Sequence, residues 1–341
     1  MMSYAERIPV NIVTGFLGSG KTTLLQRLLR APRLSNVVVL VNEFGEIGLD
    51  HQLLQAVAES AVLLENGCLC CAVRGDLRQA LRDLISRRMR GDIPSFNRVV
   101  IETSGLADPV PVAYTLLADP VIRHHFRLSS IVSTVDAVNG LAQLAAYPEA
   151  MKQVAVADRL ILTKTDLAEA SAVDAARGRL HALNPSAPVV IGIDIGAEQD
   201  ALLIDDIYDT EGRAREVSRW LDTDAPAAPH VHTDDIQSFS LTFDGPLDWT
   251  AFGIWATMLL HRHGSDVLRL KGLLNVQGVD TPVLINGVQH IVHPPSHLDA
   301  WPDADRRSRL IFIVRGLSRQ RLEQSLAAFN ALANAPAALG A

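Results

Sequence analysis

One stretch of eight residues restricts what this chain can fold into more than any other. Gly15-Phe-Leu-Gly18-Ser19-Gly20-Lys21-Thr22 satisfies the full pattern G-x-x-x-x-G-K-[ST]. It follows an apolar run at 10–14 and opens a stretch of helical periodicity. A strand, a tight glycine turn and a helix start in succession are the context that gives this pattern meaning. The glycines let backbone N–H groups converge on phosphate oxygens, and the helix N-terminus adds a positive field. Lys21 would reach the β- and γ-phosphates, and Thr22 would set its hydroxyl on Mg²⁺.

A phosphate loop needs a sheet to carry it, and the first two-thirds of the chain supplies one. Apolar runs recur at 37–41, 61–64, 99–101, 131–135, 160–162 and 189–191. Amphipathic patterns lie among them. The stretch 22–30 places Leu24, Leu25, Leu28 and Leu29 on one face, and 75–90 does the same with Leu77, Leu81, Leu84 and Ile85. The stretch 171–183 is a third. Strands apolar throughout, alternating with helices, predict an α/β fold with a mainly parallel sheet covered on both faces.

The run 160–162 leads into Thr163-Lys164-Thr165-Asp166. GTP-binding proteins read guanine with N-K-x-D at the end of such a strand. The Asp166 carboxylate would accept both N–H groups of the guanine edge, and the aliphatic stem of Lys164 would lie across the ring. Adenine offers no matching donor pair and would leave that carboxylate desolvated and unpaired. Thr163 stands where the Asn would be. Its hydroxyl can make one tethering bond in place of the amide's two-sided set.

Two further strand ends carry acids. The run 99–101 ends in Glu102-Thr-Ser-Gly105. A carboxylate there can hold Mg²⁺ directly or through water. Gly105 can bring a backbone N–H to the γ-phosphate, and loss of that phosphate would release residues 104–109. After 37–41 comes Asn42-Glu43-Phe-Gly-Glu46-Ile-Gly-Leu-Asp50, read as a mobile loop near the phosphates. Glu43 and Glu46 are candidates for Mg²⁺, for water positioning or for a second metal, and the three roles stay open.

The cysteines are Cys68, Cys70 and Cys71. An odd number this close together is no disulfide framework, and the spacing strains any internal bridge. Free thiols in a cluster suit a reducing compartment and a soft metal. Three thiolates fill most of a tetrahedral Zn²⁺ site, with a fourth ligand from elsewhere; Cu(I), Co²⁺ and Ni²⁺ also accept thiolate. Gly67 permits the tight backbone such a site needs. His230/His232, His261/His263 and His290/His293/His297 are candidate auxiliary ligands. No metalloprotease H-E-x-x-H and no G-x-S-x-G elbow occurs, so neither hydrolase class is supported.

A net charge of −7 without a basic stripe argues against a nucleic-acid partner. No apolar run approaches the roughly 18 residues of a membrane helix. Residues 1–7 lack a signal-peptide core, so a cytoplasmic chain without a membrane partner is expected. At 222–235 the composition shifts to DTDAPAAPHVHTDD, a linker or exposed loop. Beyond it we expect strands at 236–243, 267–276, 283–285, 289–292 and 309–314, and helices at 247–263 and 318–332, a smaller α+β domain. The expected division is 1–221, 222–235, 236–334 and a tail, 335–341.

Taken in order, GFLGSGKTTLL, VNEFGEIGLD, ENGCLCC, ETSGLADP and LTKTD resemble the CobW family of metal-associated GTPases. That family includes the zinc-regulated GTPase metalloprotein activators. GVQHIVHPP and RLIFIVRGLSRQRLEQSL resemble its C-terminal domain, so the likeness covers most of the chain. The resemblance implies a P-loop GTPase of the class that also holds nickel-enzyme maturation GTPases. It implies metal at Cys68, Cys70 and Cys71, and GTP hydrolysis coupled to delivery of zinc, or of cobalt, nickel or iron, to a client metalloprotein. On this likeness Gly15, Gly18, Ser19, Gly20, Lys21, Thr22, Thr23 and Gly105 contact phosphate, and Thr163, Lys164 and Asp166 serve the base. Thr22 and Glu102 would hold Mg²⁺, and the candidate catalytic residues are Lys21, Glu43 and Glu102. TKTD departs from NKxD, a departure that family members tolerate. Client and oligomeric state are not named by the resemblance. Other readings stay open: a metal buffer or sensor, an ATP-driven P-loop transferase (against which Asp166 argues), and a GTP-dependent partner-binding protein with a structural thiol site. Arg74 and Arg78 are the arginine-finger candidates.

Overall fold

The computed structural model describes residues 4–29, 34, 36–41, 62–65, 73–192, 217 and 236–333. Two units, Met1–Arg219 and Trp220–Ala341, each carry their own sheet. In the first unit the strands are β1 (Ile8–Gly15), β2 (Val37–Val41), β3 (Val62–Glu65), β4 (Arg98–Glu102), β5 (Phe126–Asp136), β6 (Arg159–Thr163) and β7 (Val189–Ile191). They pair in the order β3-β2-β4-β1-β5-β6-β7. Every pairing is parallel, as the unbroken apolar runs predict.

Helices α1 (Lys21–Leu28), α2 (Val73–Arg90), α3 (Val110–Ala118), α4 (Ile122–His125), α5 (Gly140–Ala146), α6 (Pro148–Val156) and α7 (Ala170–Leu183) complete the unit. Leu24, Leu25 and Leu28 of α1 pack with Val13, Val39, Val100, Val132 and Ile161. Burial of each such side chain contributes roughly 1.5–3 kcal/mol. Leu77, Leu81, Leu84 and Ile85 of α2 are buried, as their spacing predicts.

This unit departs from the sequence reading at its short helices and at one strand. Helices α3, α5 and α6 lie where no amphipathic stripe is visible, because they are short and, in α3 and α6, buried over much of their circumference. Strand β5 begins five residues before the apolar run 131–135 and is buried throughout, although it carries Arg127, Ser129 and Ser130. Part of this polarity is satisfied inside the sheet: Arg98 Nη1 donates to Asn11 Oδ1 at 2.6 Å, and Asn11 Nδ2 donates to Ser130 Oγ at 2.8 Å.

The strand order reverses around β1, which lies between β4 and β5. Open parallel sheets bind ligands outside the carboxyl ends of the strands at such a switch point. Register brings Glu65, Val41, Glu102 and Val13 into one row across β3, β2, β4 and β1. Asp136 and Thr163 form the matching pair across β5 and β6.

The second unit is a six-stranded sheet of β8 (Ile236–Phe243), β9 (Val267–Leu274), β10 (Val283–Val288), β11 (Ile291–Val292), β12 (Ser296–His297) and β13 (Ser308–Arg315). Its pairings are antiparallel. Helices α8 (Trp249–His263) and α9 (Arg319–Ala333) share a core with Phe239, Leu241, Leu270, Leu310 and Phe312, through Phe252, Trp255, Leu322 and Leu326. Asp248 caps α8 by accepting from Ala251 N at 2.7 Å, and Trp255 Nε1 donates to Ser325 Oγ of α9 at 2.9 Å. The expected strand at 289–292 is shorter than read. Gln289 turns with φ of 51°, and pairing resumes only at Ile291. Among the described residues no helix is long and apolar enough to cross a membrane.

Candidate nucleotide and metal site

The loop between β1 and α1 is built for close backbone approach. At Gly15 φ is 139°, and a Cβ would lie 2.3 Å from Thr134 Oγ1 and 2.4 Å from Thr134 O. Gly18 and Gly20 also take positive φ, 71° and 88°. Ser19 is fully buried, with its Oγ 2.7 Å from Thr134 Oγ1, so β5 buttresses the loop from below. Helix α1 starts after Gly20 with no side-chain cap and no acid in its first turn. Its leading N–H groups are the kind that receive anions. The Lys21 ammonium donates to Gly15 O at 3.0 Å and Phe16 O at 3.2 Å, folded back over the loop. Thr23 is exposed beside it.

Thr22 Oγ1 donates to Glu102 Oε1 at 2.7 Å. That bond joins the start of α1 to the end of β4, and Glu102 is only 4% exposed. The next residue keeps the strand ends together: Thr103 N donates to Val13 O at 2.9 Å, and Thr103 Oγ1 to Thr14 Oγ1 at 2.9 Å. Gly105 lies against the phosphate loop itself, where a Cβ would meet Leu17 N at 2.7 Å. On its other side Gln153 of α6, buried, donates through Nε2 to Gly105 O and Ala107 O, each at 3.0 Å. Lys152 pairs with Asp108, and Tyr147 at the start of α6 stacks on Phe16 with centroids 4.6 Å apart. Helix α6 therefore grips both the phosphate loop and the loop after β4.

At the end of β6, Thr163 Oγ1 lies 2.7 Å from Ser19 O and 3.1 Å from Val135 O. A hydroxyl proton can serve only these acceptors, so Thr163 tethers strand end to phosphate loop in the manner expected of it. Lys164 follows in the left-handed region, φ 55°, and its Nζ donates to Asp136 Oδ2 at 2.8 Å. Asp136 also accepts from Val138 N, Asn139 N and Asn139 Nδ2. Burial raises its pKa, but the Lys164 and Asn139 hydrogen bonds outweigh that and hold the carboxyl below its usual value. Asp166 is exposed at the mouth of the same loop.

Gly15, Gly18, Ser19, Gly20, Lys21, Thr22, Glu102, Gly105, Thr163, Lys164 and Asp166 thus share one carboxyl edge of the sheet. Glu43, Glu46, Cys68, Cys70 and Cys71 lie outside the described residues, as do His230 and His232. Strand β3 ends at Glu65, three positions before Cys68. Arg78 is engaged elsewhere: it and Arg82 pair with Asp119 at 3.1 and 3.0 Å. Burial raises the pKa of Asp119, while the N–H groups of Ile122 and Val121 and the two arginines together lower it further. His290 Nδ1 lies 2.9 Å from Leu260 O, and among the described residues no group of three or more His, Cys, Asp or Glu is arranged to hold a metal. Two residues at this edge escape the sequence reading. Asp136 has a signal, an acid ending an apolar run as Glu102 does. Gln153 has none.

Comparison with known proteins identifies the family of both units. Residues 9–191 match the family model for the CobW/HypB/UreG nucleotide-binding domain, and residues 236–330 match that for the cobalamin synthesis protein cobW C-terminal domain. The chain is 33% identical to the zinc chaperone YjiA of Escherichia coli, over 94% of this chain and 98% of that one. It is 29% identical to zinc-regulated GTPase metalloprotein activator 1 of Schizosaccharomyces pombe, covering 93% and 84% respectively. The crystal structure of Zn(II)-bound YjiA GTPase superposes with a TM-score of 0.70 at 26% identity, covering 95% of this chain and 99% of that one. With the phosphate loop, the parallel sheet and the second antiparallel sheet all matched, the chain belongs to the CobW/HypB/UreG family, in the form that carries a CobW C-terminal domain.

Proposed function

We propose that the chain is a GTP-hydrolysing zinc chaperone. It binds GTP at the phosphate loop and zinc at Cys68, Cys70 and Cys71, and it passes the metal to a client protein as GTP is turned over. The observation that carries the nucleotide half is the 2.7 Å bond between Thr22 and Glu102 at the mouth of the loop. A hydroxyl and a buried carboxylate side by side form a hard-oxygen donor pair suited to Mg²⁺. Bound there, the ion would neutralise charge on the β- and γ-phosphates. Lys21 would exchange loop carbonyls for phosphate oxygens, and the N–H groups from Gly18 to Thr23 would cradle the anion. Asp166 would accept the guanine N–H pair. Gly105, seated on Leu17, would respond to the γ-phosphate. Glu43 remains a candidate for water or metal on sequence alone.

The zinc half is supported by the C-x-C-C spacing and by the names of the relatives, a zinc chaperone in Escherichia coli and a zinc-regulated activator in Schizosaccharomyces pombe. Zinc here is cargo; cobalt, nickel and iron are the rivals that thiolate chemistry allows. Residues 1–221 form the GTPase domain, 222–235 a link and 236–334 the C-terminal domain, in a cytoplasm that keeps thiols reduced. The test is zinc affinity by chelator competition, with Mg²⁺ and either a non-hydrolysable GTP analogue or GDP. We expect affinities that differ by at least about tenfold, a coupling of roughly 1.4 kcal/mol. The difference should vanish when all three cysteines are changed to Ser. Tight but equal affinities would leave a buffer or a structural zinc instead.

A further inference from the structure

We propose that Asp136 is a positioning residue for base recognition: its buried carboxylate holds the Lys164 ammonium and thereby sets the side chain that covers the nucleotide base. This rests on the reading above, that Lys164 and Asp166 face guanine.

A free lysine has four rotatable side-chain bonds, and laying its stem on a ring freezes most of that freedom. Here an ion pair within the chain does that freezing. The ammonium is fixed at 2.8 Å to a carboxylate that is 2% exposed. Asp136 cannot follow a wandering lysine, because Val138 N, Asn139 N and Asn139 Nδ2 hold its oxygens. The backbone at Lys164 takes φ of 55°, a region a lysine seldom enters without support. The ends of β5 and β6 are joined by two more links, Thr163 Oγ1 to Val135 O and Ala137 N to Thr163 O at 2.9 Å. Thr163 Oγ1 also reaches Ser19 O, so the same device sets the distance from base loop to phosphate loop.

The pairing has a second effect. With its charge neutralised by Asp136, Lys164 presents its aliphatic stem and not its ammonium. Asp166, two residues on, is left as the charge available to the base edge.

The test is Asp136→Asn, which keeps an oxygen for the loop amides and removes the charge. We expect the KM for GTP and the Kd for GDP to rise about tenfold, with kcat falling far less, and the preference for GTP over ATP to shrink. A purely structural aspartate would lower the urea midpoint without this split. Asp166→Asn separates the proposal from the reading beneath it. Its amide should favour xanthine over guanine nucleotides; if it does not, the base-reading assignment falls. If it does, and Asp136→Asn leaves KM and Kd within twofold, the positioning proposal alone is overturned. A readout in the unsubstituted protein covers a variant that fails to fold. The lysines are Lys21, Lys152, Lys164 and Lys271, few enough to resolve by ¹⁵N-lysine NMR. A Lys164 ammonium signal protected from exchange without nucleotide is expected; one exchanging like free lysine refutes the proposal.

Discussion

At Gly15 the chain has no room for a methyl group. A Cβ there would stand 2.3 Å from Thr134 Oγ1 and 2.4 Å from a backbone carbonyl that cannot move aside. The backbone at φ 139° adds strain of its own. We therefore expect Gly15→Ala to cost more than about 2 kcal/mol in urea unfolding and to weaken binding of a GTP analogue at least tenfold. Gly18→Ala is the contrast. It also has positive φ, but a Cβ there meets nothing within 4 Å, so only about 1 kcal/mol of strain is expected. Equal losses in the two variants would contradict the buttress from β5. Residues of this kind are readable in the sequence because backbone geometry selects glycine. Thr22 is readable from the phosphate-loop pattern, and Glu102, Thr163 and Asp166 because strand ends announce themselves as apolar runs closed by polar groups. Asp136 closes such a run too, yet its meaning depends on Lys164, 28 residues away, and spacing cannot express that pairing.

At the scale of the element, α6 does more than its nine residues suggest. Ala150, Met151 and Gln153 to Val156 are all buried, and only Pro148, Glu149 and in part Lys152 reach solvent, so the polar face is too narrow to mark it as amphipathic. It is opaque to periodicity for that reason, as is α3, whose sequence VPVAYTLLA is apolar on almost every side. The parallel strands were readable because burial on both faces leaves them continuous. The first half of β5 was not, because its polar side chains find partners inside the sheet. Through Gln153, α6 holds the two carbonyls that shape the loop after Glu102. Gln153→Ala should cost about 1–3 kcal/mol by leaving those carbonyls unpaired. Hydrogen exchange should rise at residues 104–107 while α7 keeps its protection, and GTP turnover should slow. Unchanged exchange in that loop would show that α6 does not hold it.

At the scale of the molecule, two sheets of different kinds each pack against hydrophobic side chains of their own unit. A ligand at the carboxyl edge of the parallel sheet stabilises only the unit that contains its site, unless the two unfold together. The chain offers a way to see this. Its tryptophans are Trp220, Trp249, Trp255 and Trp301; the last three lie well inside the unit Trp220–Ala341, and Trp220, at the boundary, is changed to Phe for this measurement. The tyrosines Tyr4, Tyr114, Tyr147 and Tyr208 fall within Met1–Arg219. Tryptophan emission therefore reports the antiparallel unit, and calorimetry reports both. With Mg²⁺ and a GTP analogue at a hundredfold excess over Kd, stabilisation is about 2.7 kcal/mol. For a unit of this size that corresponds to roughly 5–10 °C in Tm. We expect two calorimetric transitions, with the nucleotide raising the one that tryptophan does not follow. If the tryptophan transition rises by the same amount, the units unfold as one, and the nucleotide reaches the C-terminal sheet through them. If it alone rises, the phosphate loop is not where the nucleotide binds.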